Sequence, residues 1–182
     1  LFSSEIDFSR GTFAENSFIH ETASIGKNVV IGPNVFIGEN SVIGDQTVVY
    51  PNTTILKDVT IGQDCIIHPN SVLGSDGFGF ASEKNNFHKI EQLGALKIGD
   101  NVEIGAGCTI DKGAISNTLI ADGVKLDNQI HIAHNVSIGS NSAIAACCAI
   151  AGSSKIGKNF KMGGLSGVLG HLEICDDVTV GA

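Results

Sequence analysis

The amino-acid sequence predicts an all-β chain, a solenoid of short parallel strands. Three observations carry that expectation: an apolar residue at every sixth position, a glycine just after many of them, and a small or β-branched residue two positions before. Stepping by six from Phe13 gives Phe13, Ile19, Ile25, Ile31, Ile37, Ile43, Val49, Ile55, Ile61, Ile67 and Leu73, all of them apolar. With 42% of the chain hydrophobic, such a run arises by chance with a probability of roughly 7 × 10⁻⁵ in a given phase, so the period is structural. A second run steps from Ile120 through Leu126, Ile132, Ile138, Ile144, Ile150, Ile156, Met162, Val168 and Ile174 to Val180, and Ile98, Ile104 and Ile110 form a short run between the two.

Each six-residue unit reads as one short strand and one corner. Gly26, Gly32, Gly38, Gly44 and Gly62 follow their anchors directly, where a tight corner of positive φ would favour glycine. Ala23, Val29, Val35, Ser41, Thr47 and Thr53 precede their anchors by two, and strand positions two apart face the same way, so both point inward. Cys65, Cys108 and Cys148 take that same inward position, which assigns them to packing. Aromatic residues are only 5% of the chain, with no Trp, so the core is aliphatic and thin. Glycine, at 23 of 182 residues, exceeds the usual share of about 7%, while three prolines exclude collagen and Pro-rich disorder. This pattern resembles the left-handed parallel β-helix of hexapeptide-repeat acyltransferases. The resemblance implies three units to a triangular coil, an 18-residue repeat and a stacking distance of about 4.8 Å.

The expected organisation is a lead-in over residues 1–12 and a left-handed β-helix over 13–182, interrupted by an excursion loop at 74–97 and a shorter bulge from Asp111 to Leu119. The excursion opens with Gly74-Ser-Asp-Gly-Phe-Gly-Phe80 and gathers Phe78, Phe80 and Phe87. No Lys-Ser/Thr follows its glycines and no helical pattern begins, so it is not a phosphate-binding P-loop. Loops on repeat scaffolds carry binding function.

Composition excludes several function classes. Eleven basic against nineteen acidic residues give a net charge of −8, the wrong sign for a dedicated nucleic-acid binder. No apolar run approaches the ~18 residues of a membrane span, and no signal-peptide pattern opens the chain. The chain begins with Leu1 rather than Met, so the native N-terminus is expected to lie upstream. The five cysteines are odd in number, contain no CxxC pair, and read as free thiols of a reducing cytoplasm.

Register selects the candidate site. Ile132, Ile150 and Val168 are 18 apart and stack on one corner of the predicted prism. His134 lies two beyond Ile132 and Gly152 two beyond Ile150, one layer or about 4.8 Å away. His171, three beyond Val168, falls on the same corner about two layers from His134. A histidine base beside a close-approach backbone N–H is the minimum equipment for acyl transfer. His20 and His68 replace corner glycines and read as surface residues, and nothing near His88 defines a role.

Four stretches then carry a narrower resemblance: Gly74-Ser-Asp-Gly-Phe-Gly-Phe80, Thr109-Ile-Asp-Lys-Gly-Ala114, Leu126-Asp-Asn-Gln-Ile-His-Ile-Ala-His-Asn135 and Gly170-His171. Together they resemble the UDP-3-O-acylglucosamine N-acyltransferases of lipid A synthesis over about residues 10–182. The His-Ile-Ala-His piece is shared with the O-acyltransferase that acts earlier, whereas the first two stretches favour the N-acyltransferase. The resemblance implies that His134 is the general base, that the Gly152 N–H helps hold the oxyanion, and that His171 is a second active-site histidine. It places Asp127 and Asn135 among the substrate-binding residues, with Asp127 a candidate for fixing the His134 tautomer. It implies acyl carrier protein as donor, UDP-3-O-acylglucosamine as acceptor, a homotrimer with sites between subunits, no membrane span, and no metal or other cofactor. That family carries an N-terminal uridine-gripping domain and C-terminal helices, whereas this chain opens at the β-helix and closes at Val180-Gly-Ala182. Reduced substrate affinity is the expectation for such a piece.

Lys155, Lys158 and Lys161 are the candidate basic patch for an acidic carrier protein. Val30, Val48 and Ile66, one position before their anchors and in every third unit, form a candidate outward apolar seam. The rival readings are an O-acyl or CoA-dependent relative, a γ-class carbonic anhydrase-like zinc protein using His131, His134 and His171, and a non-catalytic β-helix. The last presents arrays of outward Thr, where this sequence places Phe18, Phe36, Lys155 and Glu173.

Overall fold

A computed structural model describes residues 13–182; the lead-in at 1–12 lies outside the described residues. The strands lie in three eight-stranded parallel sheets, with a separate two-stranded hairpin. The sheets are named here by their first strands: the Phe18 face (Phe18–Ile19), the Ser24 face (Ser24–Ile25) and the Val30 face (Val30–Ile31). Successive units visit the three faces in turn, so Phe18 pairs with Phe36, Ser24 with Val42 and Val30 with Val48. That is the 18-residue coil of the left-handed parallel β-helix.

The core is one continuous column. The anchors Ile37, Ile55, Ile67, Leu73, Ile104, Ile110, Ile132 and Ile150 are fully buried, and Cys65, Cys108 and Cys148 fill inward positions beside them. The inward hydroxyls are satisfied by backbone carbonyls: Ser41 donates to Leu56 at 2.7 Å and Thr47 to Gly62 at 2.9 Å. Burying them is therefore tolerable, because each desolvated donor has its acceptor.

The corner glycines work differently from the expectation. None of Gly26, Gly32, Gly38, Gly44 and Gly62 has positive φ. A Cβ on Gly44 would instead come within 2.6 Å of the Gln63 nitrogen and the Gly62 oxygen, which are backbone atoms of the next coil. These glycines permit close stacking. The left-handed conformation falls two residues later, three beyond each anchor, on Asn28, Asn34, Asn40, Gln46, Asn52, Asp58, Asp64 and Asn70. Asn and Asp tolerate that region better than other non-glycine residues. Here they also ladder between coils, Asn34 donating to Asn52 and Asn40 to Asp58 at 3.1 and 3.2 Å. The sequence signal for this turn is the recurrent Asn or Asp three residues past the anchors. Gly44→Ala should cost about 1–3 kcal/mol or more, because neither backbone can yield without separating the coils; chemical denaturation measures it.

The register skips twice. Ile61 pairs with Ile98, and Ile98 with Ile120. Both interruptions are shorter than expected from the sequence. The strand Val72–Ser75 reaches into the first and Leu96–Ile98 emerges from it. Thr109–Asp111 and Thr118–Ile120 close in on the second. Ser75 pairs with Asp111 across an irregularity in the ladder, which delivers Asp111 to a structured position. The first excursion contains an antiparallel hairpin, Phe80–Glu83 with Asn86–Lys89.

Candidate active site

Pairing of Ile132 with Ile150 and of Ile150 with Val168 stacks the predicted corner as the arithmetic required. A shallow groove of about 440 Å³ opens there, lined by Phe78, Asp111, His131, His134, Gly152 and Leu169 among others. His134 is held between two glycines. A Cβ on Gly152 would sit 2.8 Å from its Nε2, and one on Gly77 would sit 2.6 Å from its Cβ and 2.8 Å from its Cδ2. One glycine belongs to the next coil and the other to the excursion, so the loop is folded onto the imidazole.

The tautomer of His134 follows from its neighbour. Asn135 Nδ2 donates to the Ser116 carbonyl at 2.8 Å, and Asn135 Oδ1 accepts the Ala114 N–H at 3.0 Å. A carbonyl cannot donate and a backbone N–H cannot accept, so the amide is oriented without ambiguity. His134 Nδ1 lies 2.9 Å from that Oδ1 and must therefore carry the proton. Nε2 is left with its lone pair, directed toward Gly152. The left-handed φ of Asn135, 61°, brings its amide back to the preceding ring.

Asp127 does not perform the service expected of it. Its carboxylate accepts from the Asn128 N–H at 2.8 Å and the Ala146 N–H at 3.1 Å. It lines a separate groove on the Val30 face with His68, Glu103, Lys125 and Lys161. Within one chain Asn135, not Asp127, orients His134. His171 is tied to the corner by its backbone, donating to the Gly152 carbonyl at 3.0 Å, but its side chain is exposed and the groove lining ends at Leu169. His131, in the strand ladder below, contacts Thr109 Oγ1 through Nδ1 at 2.8 Å.

Sequence reasoning missed two carboxylates. Asp76 pairs with Lys89 and, at 3.2 Å, with Lys112, anchoring the loop that carries Gly77. The Lys89 ammonium foremost, with Lys112, holds the Asp76 carboxyl below its ordinary range. Asp111 lines the groove beside His131 and His134. Both lie in stretches quoted for their resemblance, yet their chemistry follows from contacts across the interruptions.

The lysines proposed as a basic patch do not converge. Lys155 lies on the Ser24 face, 3.8 Å from Glu173, Lys161 lies on the Val30 face, and Lys158 sits between the two strands. The apolar seam also differs. Val30, Val48 and Ile66 are in register as expected, but Val30 is 4% exposed. It lines a small hollow with Phe13, Pro33, Tyr50 and Pro51. Among the described residues no cluster of three or more His, Cys, Asp or Glu is placed to hold a metal, and no helix is long and apolar enough to cross a membrane.

The fold is a left-handed parallel β-helix built on a six-residue repeat, the architecture of solved acyltransferases. The UDP-N-acetylglucosamine O-acyltransferase of Moraxella catarrhalis superposes with a TM-score of 0.84 at 29% identity, over 93% of this chain and 65% of that one. The corresponding Acinetobacter baumannii structure, at 24% identity and the same TM-score, over 93% of this chain and 64% of that one, supports the fold alone. A family model described as the GMPPB C-terminal domain matches residues 13–77.

In sequence the chain is similar to proteins named UDP-3-O-acylglucosamine N-acyltransferase, the resemblance that the motifs carried. It is 56% identical over 115 residues to those of Herminiimonas arsenicoxydans and Hahella chejuensis. The aligned part is 63% of this chain and 33% of each relative. The chain thus spans about a third of the length of the curated relatives it matches.

Proposed function

We propose that this chain carries the catalytic corner of an N-acyltransferase of lipid A synthesis. It moves a (3R)-3-hydroxyacyl group from acyl carrier protein to the 2-amine of UDP-3-O-acylglucosamine in the cytoplasm. The observation that carries the reading is the fixed tautomer of His134, which leaves Nε2 as an acceptor beside Gly152.

In this reaction the amine nitrogen attacks the thioester carbonyl while His134 Nε2 takes an N–H proton. The N–C bond forms and the carbonyl π pair moves to oxygen. The Gly152 N–H, which has no internal acceptor among the described residues, donates to that oxyanion; removing such a donor typically costs about 10²–10³ in rate. Collapse breaks the C–S bond, the electron pair leaves on sulfur, and His134 returns its proton there. The products are an amide and a thiol, with the base restored. Asn135 stabilises the transient imidazolium through Nδ1–H and keeps the ring in place. His171 supports the Gly152 peptide from the following coil and offers its exposed imidazole to the substrate beyond the groove.

The resemblance also supports a homotrimer with sites between neighbours. Asp127 then serves the corner of an adjacent chain, consistent with its distance from His134 of its own chain and its place on the Val30 face. Val48, half-buried in one chain, belongs to the contact, and Val48→Asp should shift light scattering of the full-length protein toward monomer, because burying an unpaired charge costs several kcal/mol. An unaltered trimer would remove Val48 from the interface. The reaction itself is tested by supplying full-length protein with carrier-protein and CoA thioesters and identifying the product by mass. Amide formation from the carrier thioester supports the reading; transfer only to hydroxyls, or only from CoA, refutes it.

A further inference from the structure

Asp111 is a carboxylate placed where a carboxylate is costly. It ends the strand Thr109–Asp111 with only 6% of its surface exposed, and it lines the same groove as His134 and Gly152. One oxygen, Oδ1, accepts the Ser75 hydroxyl at 2.7 Å. The other, Oδ2, has His131 Nε2 at 3.8 Å, beyond hydrogen-bond reach. The nearby lysines are committed elsewhere, since Lys112 and Lys89 both turn to Asp76. A buried carboxylate without a cation or a full set of donors is strongly disfavoured. Burial accordingly pushes its pKa up, opposed by the Ser75 hydrogen bond and the fields of His131 and His134 and reinforced by Asp76. A groove that retains such a group is prepared for a ligand that brings the missing positive charge.

We propose that Asp111 recognises the acceptor amine, its Oδ2 taking N–H donors from the sugar's 2-amino group and so selecting an amine over a hydroxyl. The assignment rests on the N-acyltransferase reading and deepens it. The acceptor arrives as an ammonium, which brings Oδ2 a cationic donor within hydrogen-bond reach, and releases one proton to solvent before attack. The neutral amine keeps one N–H on Asp111 while His134 Nε2 removes the other as the N–C bond forms. A hydroxyl acceptor has a single proton and cannot satisfy both groups at once. The two contacts therefore fix the nitrogen lone pair toward the thioester as well as discriminating the substrate.

The test uses full-length protein and two acceptors, UDP-3-O-acylglucosamine and its 2-hydroxy analogue. Calorimetry on the unmodified protein should show the amine binding at least about tenfold more tightly; equal binding overturns the assignment. In Asp111→Asn, KM for the amine should rise at least about tenfold and the preference for amine over hydroxyl should fall toward unity, with a smaller change in kcat. The melting temperature at pH 7 should not fall. Burial raises the folded pKa of this carboxyl, so its contribution to stability falls as pH rises, whereas the amide keeps the Oδ1 acceptor for the Ser75 hydroxyl with no charge to bury. An unchanged KM and preference in Asp111→Asn, with unmodified protein still acylating the amine, overturns only the role of Asp111. A protein that acylates no amine overturns the N-acyltransferase reading and this assignment together.

Discussion

His134→Ala in the full-length protein should lower kcat by at least about 10²-fold and leave the β-helix intact. The rate effect follows from removing the imidazole whose Nε2 lone pair is directed toward Gly152. General-base catalysis of this kind typically contributes 10²–10⁴-fold. The fold is expected to survive because the solenoid contact at this residue is made by backbone, with the Ser153 N–H donating to the His134 carbonyl at 3.0 Å, and alanine retains it. Asn135 also stays anchored through Ala114 and Ser116. Steady-state kinetics read against circular dichroism and melting temperature separate the two effects. Turnover within a few-fold of normal would end the role assigned to His134.

Gly152→Ala should cost about 10²-fold in kcat by a different route. Its backbone is not in the left-handed region, so alanine adds no conformational strain. The added methyl would meet His134 Nε2 at 2.8 Å and Cε1 at 2.9 Å, and the ring must move. It has little room, with Gly77 against its other side and Asn135 on Nδ1. Displacing it breaks the Nδ1 hydrogen bond and moves Nε2 away from the proposed acceptor nitrogen, and misplacement of about 1 Å alone can cost 10²-fold. The same methyl crowds the position proposed for the oxyanion. A crystal structure of the variant should show a rotated imidazole; normal turnover with an unmoved ring would show that the close approach is unimportant.

The solenoid and one corner of the site were legible in the sequence because a repeat of fixed period turns register into arithmetic. Eighteen residues separate one layer from the next, and that alone put His134 beside Gly152 and His171 behind it. The same reasoning misassigned the corner glycines. Period shows where a small residue recurs, but steric approach and positive φ leave the same trace in one sequence. The turn belongs instead to the Asn and Asp three residues past each anchor.

By itself the sequence determined the β-helix, its aliphatic column, the inward cysteines and the stacking of Ile132, Ile150 and Val168, since all of these repeat. Only the tertiary structure decided what lies outside the period. The two interruptions shift the register by amounts the repeat cannot supply, and through them Gly77 reaches His134 and Asp111 pairs with Ser75. It also decided that Asn135 rather than Asp127 of the same chain orients His134. Side-chain direction at a corner is set by which donors and acceptors a neighbouring coil or loop happens to present, and those partners are remote in the chain. Periodic burial is a property of local spacing, whereas the chemistry of this groove depends on contacts made where the spacing fails.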